Sequence, residues 1–153
     1  MKFIYVASPY TKGDVAVNVR NNLAVADQLA QAGFYPFAPL LTHFWHLLFP
    51  HPYEFWCEHD NAWIERCDAL VRLPGESTGA DREVKLAEAR GMPVYVCDGP
   101  FQMADFQKWA EWHRYCRAGG FDPNRSLYSQ MMDAVSEPHQ PDSTPNERSL
   151  AAP

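Results

Sequence analysis

The sequence predicts an α/β fold, a Rossmann-like three-layer sandwich around a parallel sheet of four or five strands. Three observations carry that expectation. Short apolar runs suited to buried strands recur at residues 2–6, 34–38, 69–73 and 93–97. Longer stretches with apolar residues at helical spacing separate them. Strict alternation of the two kinds implies parallel strands joined by right-handed crossovers.

Taken in order, residues 2–6 read as the first strand and 7–13 as a loop. Asp14 caps a helix to about residue 32, on which Val15, Val19, Leu23, Ala26 and Ala30 share a stripe. Gly33 closes it, and Pro36 suits the strand 34–38 to a sheet edge. Residues 39–52 read as a loop rich in aromatics and histidine. A helix over 53–67 sets Phe55, Trp56, Trp63, Ile64 and Cys67 on one stripe. Asp68 starts the strand 69–73, and a Pro/Gly/Ser/Thr/Gly turn leads into a helix over about 80–90. Thr78 and Asp81 are spaced as that helix's cap and capping partner. Gly91 ends it before the strand 93–97. A last helix over about 103–117 aligns Phe106, Trp109, Ala110 and His113. All of this fits one domain, 1–134. The polar, proline-studded stretch 135–153 reads as a disordered tail.

Composition narrows the function. A chain of 153 residues, 46% hydrophobic and with five tryptophans, can bury a real core. Its net charge of −6 argues against a nucleic-acid backbone as partner, which needs a clustered basic surface. Small anions stay in play, because a helix N-terminus and one or two arginines can hold them locally. Cys57, Cys67, Cys97 and Cys116 form no C-x-x-C pair and no zinc spacing, as expected of reduced thiols in a cytoplasmic protein. Residues 1–6 show no leader pattern, and no run approaches the ~20 apolar residues that span a membrane. His43, His46, His51 and His59 lack ligand spacing, so neither a metal nor another cofactor is expected.

Ligands of parallel α/β sheets bind beyond the carboxyl ends of the strands. The loops there are 7–13, 39–52 and 74–79, and the unusual residues fall in them. The turn with Ser77 and Gly79 points backbone N–H groups at a helix N-terminus, a place for a phosphate. Glu83, just inside that helix, either faces the ligand or is an exposed acid favoured by the helix dipole. Its neighbours Ala80, Val84 and Ala87 favour the sheet-facing side. Asp60 lies on the aromatic face of the helix 53–67. It is either a structural acid bonded to His43, His46 or a backbone amide, or the second carboxylate of a glycosidic site. Ser8, Pro9 and Tyr10 follow the first strand, as an ordinary turn or as ligand contacts, with Tyr10 also able to order Glu83. Arg20, His43 and Arg82 are further candidates, and Tyr10, Phe44 and Trp45 could sandwich a base.

The segments Ile4-Tyr5-Val6-Ala7-Ser8-Pro9-Tyr10, Asp60-x-x-x-Ile64-x-x-x-Asp68 and Ser77-x-Gly79-x-x-x-Glu83, with Ala87 and Pro93-Val94 behind them, are the most specific pattern in the chain. Over residues 2–97 the sequence resembles the nucleoside 2-deoxyribosyltransferase superfamily, including its nucleotide N-hydrolase branch. That resemblance implies a catalytic nucleophile at Glu83. It implies a role at Asp60 in binding the base or moving its proton. Serine rather than an acid at position 77 is what the nucleotide hydrolases carry for a 5′-phosphate. Pro74-Gly75 is more loosely similar to the turn of the cytokinin-activating phosphoribohydrolases. The activity implied is cleavage of the N-glycosidic bond of a nucleoside 5′-monophosphate, or transfer of its (deoxy)ribosyl group, in a homodimer or larger homo-oligomer. The alternatives are a nucleotide-binding or sensing module without turnover, and a structural partner that dimerises through its tryptophan-rich helices.

Overall fold

Residues that alternate in a strand must be buried on both faces if the strand is central, and the first and third strands meet that demand. The structure, a computed structural model, describes residues 1–119 and Asp122. The expected tail 135–153 lies outside the described residues. The order is β1 (Phe3–Ala7), α1 (Val15–Gln31), β2 (Tyr35–Phe37), a 3₁₀ turn (Pro39–Leu41), α2 (Thr42–Leu48), α3 (Tyr53–Ile64), β3 (Ala69–Arg72), α4 (Thr78–Ala89), β4 (Val94–Val96) and α5 (Met103–Gly119). The four strands are all parallel, in the order β2-β1-β3-β4. The fold is therefore the expected Rossmann-like three-layer α/β sandwich.

Ile4 and Val6 of β1, with Ala69 and Val71 of β3, pack under Val25 and Leu29 of α1 and Phe106 and Ala110 of α5. On the opposite face Tyr5, Ala7 and Leu70 pack under Ile64 of α3 and Ala80 and Ala87 of α4. Period-two alternation thus feeds two separate cores. In this order the crossover from β1 leads to β2 on one side and that from β3 leads to β4 on the other, so the loops after β1 and β3 diverge at one switch point. A crevice at the carboxyl edge follows from that topology alone.

Three local expectations change. On α1, capped by Asp14 accepting from the Val17 N–H at 3.1 Å, the buried stripe is Val19, Asn22, Val25, Ala26 and Leu29. Ala30 is exposed and Val15 and Leu23 are half-buried. The stripe is rotated because Asn22 is taken inside to bond the end of β1. Residues 39–52 are no loop. Pro39 opens a 3₁₀ turn, Thr42 Oγ1 donates to the Pro39 carbonyl at 2.6 Å, and the chain continues as α2. α2 buries none of its residues, so no apolar period announced it. On α3 only Ile64 of the expected stripe is buried. Its aromatics pack sideways instead, with Trp63 stacked on Phe37 of β2 at 4.6 Å between ring centroids.

The turn between β3 and α4 is the tightest point of the fold. Gly75 has φ +109°, and a Cβ there would stand 2.9 Å from Pro9 Cγ. Gly75→Ala is expected to destabilise the protein by about 1–3 kcal/mol, from left-handed strain and the contact with Pro9. Chemical denaturation measures it, and an unchanged midpoint would mean that the turn relaxes freely.

Candidate functional site

At the switch point lies a cavity of about 490 Å³ walled by the loop after β1, the first turns of α4, and α2 with α3. Of the expected residues, Ser8, Tyr10, His43, Asp60, Ser77, Gly79 and Glu83 line it, as does Arg82. Pro9 stands behind the lining, against the Gly75 turn. Arg20 is exposed on α1 and borders a different, shallow groove with Phe44. Phe44 and Trp45 lie outside the cavity, and the rings lining it are those of Tyr10, Tyr53, Trp56 and the histidines His43, His46 and His51.

The α4 side is fixed by capping. Ser77, not Thr78, is the N-cap: its Oγ accepts from the Ala80 N–H at 3.2 Å, and the helix begins at Thr78. The Ser77 O–H therefore remains available to donate, beside first-turn N–H groups that have no partner within the helix. Asp81, released from capping, takes Arg72 at 2.8 Å. Arg72, buried at the end of β3, also donates to the carbonyls of Leu73 and of Gly75, the latter at 2.7 Å. A buried guanidinium demands such a set of acceptors, and meeting that demand pins the turn.

The β1 side is fixed by two asparagines. Asn22 Nδ2 donates to the Val6 carbonyl at 2.8 Å and to Ser8 Oγ at 2.9 Å. Asn18 Nδ2 donates to the carbonyls of Tyr10 at 2.8 Å and Lys12 at 2.7 Å. Tyr10 is bonded at 2.8 Å to His43 Nδ1 and so ties this loop to α2. That contact takes up the hydroxyl that was expected to order Glu83.

Glu83 forms the floor. It shares the sheet-facing stripe of α4 with Ala80 and Ala87 and is 8% exposed. Burial pushes its carboxyl up to about 8, and the charge of Asp60 adds to the effect. Tyr5, Arg82 and Arg72 pull it the other way. Tyr5 is fully buried next to Glu83, and its hydroxyl has no hydrogen bond of regular geometry. Asp60 enters from α3. Burial raises its carboxyl too, against the opposing influence of His59 and Arg82. His59 Nε2 accepts from the Trp63 indole at 3.3 Å, which leaves the proton on Nδ1 to face Asp60 Oδ1 at 3.4 Å. Two interacting carboxyls thus share one cavity, and Glu83 is the one that holds its proton to higher pH.

Tyr5, Asn22, Arg72, Tyr53 and Cys57 were not among the candidates. Two carried a signal: Asn22 interrupts an apolar helix face, and Arg72 sits inside an apolar strand. Either must find buried partners, and both do. Among the described residues no group of three His, Cys, Asp or Glu could hold a metal ion. No described helix is long and apolar enough to cross a membrane.

Residues 2–97 match the family described as a domain of unknown function (DUF7768). The chain belongs to this family. No curated protein matches the sequence. The DUF7768 span runs from β1 through β4 and includes every wall of the cavity, whereas α5 lies beyond it.

The raised Glu83 carboxyl has a stability consequence. An unfolded chain releases this proton near pH 4.5 and the folded chain near 8. Between those values the folded state holds a proton the unfolded state has lost, so stability falls as pH rises, by up to about 1.4 kcal/mol per pH unit. Glu83→Gln is expected to remove that slope. It should leave stability near pH 4.5 little changed and raise it by about 4 kcal/mol at pH 8. Denaturation curves across pH 4.5–8 measure the effect, and parallel curves for the two proteins would contradict it.

Proposed function

We propose that this protein cleaves the N-glycosidic bond of a small nucleotide, a nucleoside 5′-monophosphate, or transfers its (deoxy)ribosyl group to a second base. The observation that carries this reading is Glu83. It is a buried carboxyl on the floor of a nucleotide-sized cavity, within two helical turns of an N-terminus suited to a phosphate, with a second carboxyl on the facing wall. Resemblance of Ser77-x-Gly79-x-x-x-Glu83 and Asp60 to the nucleoside 2-deoxyribosyltransferase superfamily supports it independently.

In this mechanism the 5′-phosphate is bound by Ser77 Oγ–H and the first N–H groups of α4. A Glu83 carboxylate oxygen attacks C1′ while the C1′–N bond breaks and its electron pair leaves with the base. A group that Asp60 orients supplies the proton the departing base takes up. Water then attacks C1′ of the glycosyl ester, releasing the sugar phosphate and restoring the Glu83 carboxylate; a second base in place of water completes a transfer. Members of the resembled superfamily commonly complete their pocket with a neighbouring subunit, and a homodimer or larger homo-oligomer belongs to this reading.

One observation favours a second reading, a nucleotide-binding module without turnover. A carboxyl held protonated near neutral pH is a better hydrogen-bond donor than nucleophile.

Chromatography of ribo- and deoxyribonucleoside monophosphates and nucleosides incubated with the protein, alone and with a second free base, separates the two. Free base is expected from at least one monophosphate, with a loss of more than about 10³-fold in Glu83→Ala. Since kcat/KM follows the free enzyme, it should climb with pH and level off near pH 8, where Glu83 becomes ionised. Tight binding with every substrate returned intact would give the second reading its case.

A further inference from the structure

Arg72 and Arg82 make opposite use of the same side chain. Arg72 is bonded to three backbone and carboxylate partners and holds the turn. Arg82 has a buried Nε–H with no hydrogen-bond partner among the described residues. A donor desolvated without an acceptor carries an unrecovered cost, and a native site keeps one where something else supplies the acceptor. The neighbours of Arg82 say where. Its guanidinium lies 5.8 Å from the centroid of the Tyr53 ring and against the Cys57 thiol, and it acts on Asp60. Tyr53, Cys57 and Asp60 are all α3 residues and all line the cavity, with the Tyr53 hydroxyl reaching Gly79 beside the Ser77 cap and Asp60 about two turns further along α3. On the glycosidic reading Asp60 meets the leaving group, and Arg82, packed on the same α3 wall, is placed to share that contact.

We propose that Arg82 and Asp60 together select the leaving group, by receiving a planar heteroaromatic edge in which an N–H donor stands next to a C=O acceptor. This is the lactam edge of an oxo-base. The inference rests on the glycosidic reading for the identity of the ligand, but its binding chemistry is separate. The guanidinium donates to the carbonyl oxygen and the Asp60 carboxylate accepts the adjacent N–H. The Tyr53 ring, already facing the guanidinium, limits where the cation can go. An amino-base reverses donor and acceptor along that edge. It would set an NH₂ against the guanidinium and a bare ring nitrogen against the carboxylate, leaving both protein groups unpaired. Arg82 is then a specificity-determining residue, and Glu83 and the α4 cap are indifferent to which base is present.

Calorimetric titration of the full chain with free bases tests this without requiring turnover. Hypoxanthine against adenine, and uracil against cytosine, present the two edges on rings of equal size. The oxo-base of each pair is expected to bind about tenfold tighter. That preference should shrink to within about twofold in Arg82→Met. It should be partly kept in Arg82→Lys, which retains charge without the planar fork. It should be unchanged in Arg90→Met, an exposed arginine capping the C-terminus of α4 and paired with Glu65. Equal affinities in the wild-type protein, no binding of any base, or a preference that survives Arg82→Met would each overturn the proposal. Thermal denaturation of the variants establishes that they are folded, and Arg82→Lys carries the test if Arg82→Met is not. A base preference with no bond cleaved in any nucleotide would remove the glycosidic reading and leave this one standing. Cleavage without a base preference would do the reverse.

Discussion

A carboxyl buried against the middle of a parallel sheet is the constraint around which this chain is arranged. Glu83 sits on the sheet-facing stripe of α4, flanked one turn to either side by Ala80 and Ala87, both essentially inaccessible. Small neighbours let the helix approach the sheet closely, and that approach is what removes Glu83 from water. Desolvation then does to the carboxyl what no surface position could, holding its proton into the neutral range. As a stability element such a residue is a liability above the pH at which the unfolded chain ionises. The fold tolerates it because β1 and β3 bury nearly every side chain they carry, on two separate cores. Strain and unmet polarity concentrated in one place, over a scaffold consistent everywhere else, is the pattern of a functional site.

Holding Glu83 in that position requires the two neighbouring loops to be fixed, and a buried polar side chain anchors the base of each. Arg72 closes the turn after β3 on itself and ties it to Asp81 in the first turn of α4. Asn22 reaches from α1 to the Val6 carbonyl of β1 and to Ser8. Where the two loops meet, Pro9 fills the space that a side chain at position 75 would need. These contacts, most of them ending on backbone carbonyls, hold the two halves of the crevice together. They explain why Pro9, which touches no cavity space, still matters to the shape of the cavity.

How far the sequence alone led depends on which physical signal each element carries. The strands and the helices flanking them were legible because period-two and period-3.6 patterns are written in apolar residues, and β1, β3, α1, α4 and α5 bury such faces. The floor of the site was legible for a related reason: Glu83 lies in register with Ala80 and Ala87. α2 was not legible, because it buries nothing and owes its form to Pro39 and Thr42 at its entrance. The apolar spacing on α3 points to a stripe through Phe55. The cavity face in fact runs through Tyr53, Trp56, Cys57 and Asp60 to buried Ile64, about one residue around the helix. Large aromatics mislead in this way, since they can cover one another at a surface as well as fill a core. The capping assignment failed by a single residue, at Ser77 rather than Thr78, and that shift is what frees Asp81 for Arg72. Neither Asn22 nor Arg72 announces its partners in sequence, because both find them across the fold.

The two walls of the cavity consequently differ in kind. The α4 and β1 side is built of buried residues, capped helix ends and short backbone-directed hydrogen bonds. The α2 and α3 side buries only Ile64 between the two helices, and its aromatic and imidazole rings contact one another edge to face. Local opening costs least where few apolar contacts are buried, so the second wall is the one able to adjust to a ligand. Chemistry needs fixed distances between reacting atoms, and recognition tolerates, and often exploits, a surface that adapts. A carboxyl on the rigid wall and a guanidinium with an unmet donor facing the pliable one divide those tasks between them. The same division lets α2 and α3 change their side chains without disturbing the turn that holds Glu83.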